Sequence, residues 1–456
     1  MHDITLVNAT IHPPPPDGPT VPLGILYLTA NLEKNGYNVG VQDYQLKDLN
    51  DALNINNFIS LLRNSSNIIG ISCMSSQLPL VLLAMEKVKS EKPEKIVILG
   101  GPGPTGVSEE IMRYFPSIDI IVKGEGEVTI VELLKRMEHE KKLDEVNGIC
   151  FRDNKNIKTT PPRKRINDLD SNPFPSYNKI NIREYDYIPI ITARGCPYNC
   201  TFCDVGPLWQ HKTYMRSISN VIEEIQLLYD DYKIKSIRFA DDTFVLNKKR
   251  VIQLCDKIAT EKLAVKWSCL GRINLMDEEL MKKMSNNGCM RIFYGIESGS
   301  DNILRRVLKK FTVEYAKKVI EKSINYFDTV HCSFIWGFPF ETMDEFHSTL
   351  DFINYVWKLG CSSDAYQFSP VPLSMIYAQY KDSLKFSSEM CPSVASNGLK
   401  NQMNGRYEVN KTMANLIRRH PTVFPIFYHI PLNNLQEKKS RMNQFRKELL
   451  KLYGIR

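Results

Sequence analysis

A strand–helix rhythm that runs twice along this chain, with a break between the two runs, constrains its fold more than any other feature. In residues 1–140, short apolar runs suited to strands fall at Ile4–Asn8, Val39–Asp43, Ile68–Ser72, Lys95–Gly100 and Ile118–Val122. Helical patterns start near Pro22, Leu53, Leu80, Val107 and Val128. Strands that alternate with helices over short links predict a parallel, doubly wound, Rossmann-like α/β sheet. Such a sheet binds ligands beyond the carboxyl ends of its strands. Here that edge carries Asn8–Gly24, Cys73–Leu78, Gly100–Gly106 and Lys123–Glu127, rich in Gly, Pro and Ser. The first run reads as a binding platform.

Residues 141–185 turn to Pro, Lys and Asn, including Pro161–Pro162 and Pro173–Phe174–Pro175, and read as a small β-hairpin followed by a linker. The second run fills residues 186–375. Its strands are expected at Tyr187–Thr192, Ser236–Ala240, Lys266–Leu270, Arg291–Ile296, Thr329–Trp336 and Ala365–Ser369. Helices are expected near Ser217–Tyr229, Lys248–Glu261, Asp277–Asn286, Val313–Ile324 and Met343–Lys358. These strands are too few for a closed eightfold barrel, so a partial (β/α)₆ barrel is expected. Residues 376–456 lose the rhythm and read as a small, mostly helical region ending in a basic amphipathic helix, roughly Leu435–Leu452.

Composition narrows the function classes. The 456 residues suffice for two or three domains, and 43% hydrophobic with 24% charged residues is ordinary globular usage. A net charge of +8, from 59 basic and 51 acidic residues, is mild over this length. It tolerates an anionic ligand without pointing to nucleic acid. The sequence has no signal-peptide-like run and no apolar stretch long enough to span a bilayer, so a cytoplasmic protein without membrane partners is expected. Eleven cysteines without a secretion signal disfavour a disulfide scaffold. Eight of them (Cys73, Cys150, Cys255, Cys269, Cys289, Cys332, Cys361 and Cys391) stand singly and read as small buried hydrophobes.

The other three lie together in Arg194-Gly195-Cys196-Pro197-Tyr198-Asn199-Cys200-Thr201-Phe202-Cys203, spaced Cys-x3-Cys-x2-Cys just after a strand. A structural zinc site wants four closed ligands, and His211, eight residues on, is a poor fourth. An iron–sulfur cube held by three protein thiolates keeps one iron open. The segment resembles the signature loop of the radical SAM superfamily, enzymes that cleave S-adenosylmethionine (SAM). The resemblance implies that Cys196, Cys200 and Cys203 ligate a 4Fe–4S cluster whose open iron chelates SAM, with Phe202 near the adenine. Asp241 and Asp242 follow the second strand, Arg272 the third and Glu297 the fourth. Arg272 suits a bidentate pairing with the SAM carboxylate. By resemblance, Glu297 in Gly295-Ile296-Glu297-Ser298-Gly299 contacts the SAM ribose or amino group. The segment from Phe334 to Thr342, with Gly337, is similar to the family's adenine-side segment. For each, the bland alternative is a solvated strand-end charge or a helix cap.

In the first run, Pro22-Leu23-Gly24-Ile25-Leu26-Tyr27-Leu28, Gly100-Gly101-Pro102 and Gly124-Glu125-Gly126-Glu127 look like the cobalamin-binding domain of the cobalamin-dependent radical SAM enzymes. Ser76-Gln77-Leu78 and Gly100-Gly101 match two classical elements, Ser-x-Leu and Gly-Gly, in order. The resemblance thus implies cobalamin contacts from Pro22, Gly24, Ser76, Leu78, Gly100, Gly101 and Glu125. Glycines at such points let the backbone approach a bulky nucleotide tail. The third classical element, Asp-x-His-x-x-Gly, is missing, since His12 in Ile11-His12-Pro13-Pro14 has neither flanking residue. Cobalamin is therefore expected without a histidine axial ligand. Glu125 and Glu127 read equally well as first-turn carboxylates that favour the helix dipole.

These resemblances imply a cobalamin-dependent radical SAM methyltransferase acting on an unactivated carbon, or phosphorus, of a natural product or peptide. The implied cycle uses SAM twice, once as the methyl source for reduced cobalamin and once as the source of a 5′-deoxyadenosyl radical. It needs an external electron donor such as flavodoxin or ferredoxin. The alternatives are a radical cyclase or ring-rearranging enzyme of the same architecture, and a non-catalytic cobalamin carrier. A carrier has no use for an open iron. A methylthiotransferase is disfavoured, because the front of the chain has no second three-cysteine cluster.

Overall fold

The computed structural model describes residues 2–9, 19–46, 55–154, 156–386 and 411–453. His12 and Cys391 lie outside the described residues. The chain forms two compact units, Met1–Tyr187 with Val409–Phe427, and Ile188–Glu408 with Tyr428–Arg456.

The first unit is built on β1 (Ile4–Asn8), β2 (Val39–Asp43), β3 (Ile68–Ser72), β4 (Ile96–Gly100) and β5 (Ile120–Val122), extended by β6 (Ile149–Asp153) and β7 (Asn156–Thr159). The spatial order is β2-β1-β3-β4-β5-β6-β7. The pairings from β2 to β5 are parallel, and those of β6 and β7 are antiparallel. The segment expected as hairpin and linker therefore carries the sheet onward, and this compact unit runs past residue 140. β1 is buried at all five positions, as expected of a parallel strand covered on both faces. Ile4, Leu6, Ile25, Leu32, Ile98, Ile120 and Leu133 share one core. Strand order reverses between β1 and β3, so the loops after those strands flank the crevice where such sheets take a ligand.

The second unit has six parallel strands: β8 (Pro189–Ile190), β11 (Ser236–Phe239), β12 (Lys266–Gly271), β13 (Cys289–Glu297), β14 (Thr329–Trp336) and β15 (Ser362–Gln367). They lie side by side in chain order, which is the partial (β/α)₆ barrel. Two short antiparallel strands, β9 (Ala193–Arg194) and β10 (Tyr214–Met215), branch off after β8. Helix starts are set by side-chain caps at Ser217, Asn247, Asp277, Thr312 and Thr342, each accepting an otherwise orphaned backbone N–H. Each such cap is worth about 1 kcal/mol. Thr342 and Glu345 close a full capping box.

Two expected strands differ. The first shrinks to Pro189–Ile190, an edge strand in which the carbonyls of Ile188 and Ile190 accept the N–H groups of Arg238 and Ala240, and whose proline suits an edge. The last begins at Ser362, three residues before the expected Ala365. Its polar start is paired inside the fold, for Trp357 Nε1 donates to Ser363 Oγ at 2.7 Å and Tyr366 OH donates to Asp364 at 2.7 Å. In the tail, Lys411–Arg419 belongs to the first unit and the basic helix Leu435–Leu452 to the second. Among the described residues no helix is long and apolar enough to cross a membrane.

Candidate active site

The chain enters the cysteine loop directly from β9, and buried Asp241 fixes that entrance. Its carboxylate accepts the backbone N–H groups of Thr192 (2.6 Å) and Ala193 (3.0 Å) together with the Thr192 hydroxyl. Burial raises its pKa to about 6 against these stabilising bonds. Asp241 was expected to touch SAM. The structure instead commits its oxygens to positioning the loop. Asp242 is exposed.

Cys196, Cys200 and Cys203 are free, partly exposed thiols. Their electrostatic influence on one another and on Tyr198 places them in one neighbourhood. Burial, chiefly, pushes the Cys203 thiol up to about 12, with Asp204 and the other two cysteines adding, while the Val205 N–H at 3.4 Å opposes them. Among the described residues no three Cys, His, Asp or Glu side chains converge on a single metal position. A mononuclear zinc needs that convergence. A cube does not, because each thiolate takes a different iron.

Arg272 leans over this loop. Its Nη1 donates to Cys200 Sγ at 3.5 Å, its guanidinium carbon lies 3.9 Å from the Tyr198 ring centroid, and its Nη2 donates to the Lys309 carbonyl. The Nε–H is buried and has no protein partner. An orphaned buried donor costs about 1–3 kcal/mol, so the position suits an anionic ligand group. Glu297 sits at a register shift between β13 and β14 with φ +75°, a left-handed conformation uncommon outside glycine. Lys309 Nζ donates to its Oε1 at 2.9 Å, and both side chains are less than a tenth exposed. Lys309 thus holds Glu297 with its ammonium and Arg272 with its carbonyl. Sequence reasoning missed it, since it lies in a turn between Leu308 and Lys310, both at φ +60°, with no local pattern to mark it.

Phe202 packs against Phe338, with ring centroids 6.0 Å apart, in a cluster with Ile303, Val307, Phe368 and Ile376. Gly337, one residue before Phe338, has φ +81° and donates its N–H to Glu341 at 2.7 Å. The structure therefore brings Phe202, Arg272 and the segment at Gly337 to the cysteine loop, and ties Glu297 in through Lys309.

In the first unit the expected ligand edge is backbone packed on backbone. Gly101 has φ +96°, and a Cβ there would stand 2.7 Å from the Cys73 carbonyl. At Gly103, which sequence reasoning did not single out, a Cβ would stand 2.5 Å from Met74. Leu78 is buried, and the Ser76 hydroxyl accepts from Gln77 at 3.0 Å. By contrast, a Cβ on Gly24, just after Pro22 at a helix start, or on Gly124 would meet nothing within 4 Å. Those two glycines leave open surface on which a bulky ligand can lie. Glu125 has another task, since it accepts the Ile166 N–H at 2.9 Å and pairs with Arg165 at 3.5 Å, both side chains being 6% exposed. It anchors the segment leaving the sheet.

Comparison with known proteins matches this division. The radical SAM superfamily model covers residues 190–353, and the B12 binding domain model covers residues 16–134. An uncharacterized methyltransferase of Pyrococcus horikoshii is 33% identical over 338 residues, 73% of this chain and 72% of the relative. The chain belongs to the cobalamin-dependent radical SAM enzymes. The cytidylyl-2-hydroxyethylphosphonate methyltransferase of Streptomyces wedmorensis is 26% identical over 420 residues, 78% of this chain and 76% of the relative. The fold is shared with the radical SAM methyltransferase TsrM of Kitasatospora setae, solved with tryptophan substrate and a SAM analogue: TM-score 0.72 at 15% identity, covering 98% of this chain and 88% of that one. Members of this family work with a 4Fe–4S cluster, SAM and cobalamin, and the residues of this chain fit all three. Three free thiols share one loop, an unsatisfied guanidinium N–H lies beside them, and two open glycines mark the ligand edge of the first unit.

Proposed function

We propose that this enzyme transfers a methyl group from SAM to an unactivated carbon, or phosphorus, of a small natural product, using electrons from an external donor such as flavodoxin or ferredoxin. A three-thiolate loop joined in one chain to a B12-binding sheet carries the reading. The methyl-transfer part is supported by the relatives, one named an uncharacterized methyltransferase and one a cytidylyl-2-hydroxyethylphosphonate methyltransferase. When bound, the cluster supplies the electron that cleaves SAM and the corrinoid carries the methyl group.

The chain's own residues hold and orient. Cys196, Cys200 and Cys203 hold the cluster. Arg272 receives the SAM carboxylate on its unsatisfied Nε–H, with Glu297, fixed by Lys309, beside it. Phe202, backed by the buried Phe338, presents a ring surface to the adenine. Asp241 keeps the loop entrance rigid. Pro22, Gly24, Ser76, Leu78, Gly100 and Gly101 would border the corrinoid, which would serve as the methyl carrier.

The test is anaerobic reconstitution with iron, sulfide and cobalamin, followed by incubation with SAM and a low-potential reductant. The proposal expects both 5′-deoxyadenosine and S-adenosylhomocysteine. A radical cyclase would release 5′-deoxyadenosine alone, and a carrier would release neither. Either result overturns the methyltransferase reading.

A further inference from the structure

The most deeply buried ion pair in the second unit lies away from the cysteines. Lys438, on the terminal helix Leu435–Leu452, and Glu341, just after β14, each have a side chain with no exposed surface. Lys438 Nζ donates to Glu341 Oε2 at 2.8 Å and to the Glu341 carbonyl at 2.6 Å. That Oε2 also accepts the Gly337 N–H, while Oε1 is buried with no partner. Isolating two charges from water costs several kcal/mol per ion before their attraction is counted. A pair in this position adds little net stability over an apolar one, so its geometry is the more informative property.

That geometry leads to the cysteine loop. Gly337 is in the left-handed region, a conformation that its bond to Glu341 holds in place. The next residue, Phe338, packs on Phe202, the neighbour of Cys203, and on Phe368, and stacks on Phe340. A second buried cation of the same helix, Arg446, donates to the Ala365 carbonyl of β15 at 2.9 Å. The terminal helix therefore holds both the loop after β14 and the middle of the adjacent strand β15.

We infer that Lys438 is a positioning residue for SAM, acting through Glu341 and Gly337 to hold Phe338 against Phe202. The C-terminal helix thereby becomes part of the SAM site's support. The inference rests on the SAM chemistry of the family and on the placement of SAM beside Phe202. It does not depend on methyl transfer, so it survives if the product proves to be unmethylated.

The experiment compares reconstituted wild type, Lys438→Met and the double variant Glu341→Gln/Lys438→Met. SAM affinity is measured by equilibrium dialysis, 5′-deoxyadenosine formation is followed against SAM concentration, and melting is followed without SAM. Lys438→Met should weaken SAM binding about tenfold, the range of one charge-assisted contact, raising the KM for SAM while kcat holds. The double variant removes the unpaired buried carboxylate and should regain melting temperature, while its SAM affinity stays below wild type. If Lys438→Met fails to fold, the double variant alone decides. Wild-type SAM affinity in whichever variant folds would overturn the inference, leaving the pair as packing only.

Discussion

Lys309 holds two charged side chains in register at once. Its ammonium balances Glu297, its carbonyl takes Arg272, and Arg272 reaches Cys200. Removing one member of a buried pair strands the other charge, at a cost of about 3–5 kcal/mol. Lys309→Met should therefore lower the free energy of unfolding by that amount, seen as a lower midpoint in guanidinium chloride at unchanged slope, and Glu297→Gln/Lys309→Met should recover most of it. An unchanged midpoint in the single variant would mean that the pair is not formed. Asp241 makes a pH prediction. Its native pKa of about 6 lies above the ordinary value of 3.8. Between those values the native chain keeps a proton that the unfolded chain has released, so stability falls as pH rises through that window. Asp241→Asn should flatten this part of the profile, which urea unfolding at a series of pH values would show. The structure joins Arg272 and Glu297 through Lys309, and in the sequence both were singled out by their strand-end positions and, for Glu297, by resemblance. Lys309, Glu341 and Lys438 were not, because their partners are distant in the chain and a buried lysine looks locally like a solvated one. Glu125 is the reverse case, since a carboxylate at a glycine-rich edge resembles a ligand contact, and in the structure it engages Arg165 and the Ile166 N–H.

At the scale of elements, the period of side-chain pattern decided what was readable. The strand Thr329–Trp336 and the helix Met343–Lys358 fall where expected from the alternation of strand and helix patterns, and the structure adds a Thr342–Glu345 capping box at the helix start. The last strand slid because Ser362, Ser363 and Asp364 carry polar side chains into a buried strand. The glycine loop after β4 was legible at Gly100–Gly101 but not at Gly103, where the need for a bare Cα comes from the backbone at Met74 and Ser75. Gly101→Ala meets both a left-handed φ and the Cys73 carbonyl. It should cost about 1–3 kcal/mol and lower the amount of cobalamin that co-purifies, measured by the corrinoid absorbance. Gly24→Ala, with open space around its Cβ, should leave folding within about 0.5 kcal/mol of wild type.

For the whole molecule, two alternating runs became two compact units, each with its own sheet, parallel throughout in the second and parallel from β2 to β5 in the first. The likeness to the Pyrococcus horikoshii and Streptomyces wedmorensis methyltransferases spans most of both chains. The proposed division of labour follows from the edges: open glycines where a bulky ligand would lie, thiols and a guanidinium where a small charged one would be gripped. The tail divides between the units, and its last helix, Leu435–Leu452, which falls where its basic amphipathic pattern put it, braces the barrel. The most direct measurement is iron content and SAM cleavage in anaerobically prepared wild type and Cys200→Ala. Wild type should hold about four irons per chain and release 5′-deoxyadenosine under reduction, and the variant should lose the product and most of the iron. A wild-type chain without iron, or a Cys200→Ala protein that cleaves SAM undiminished, would contradict the account.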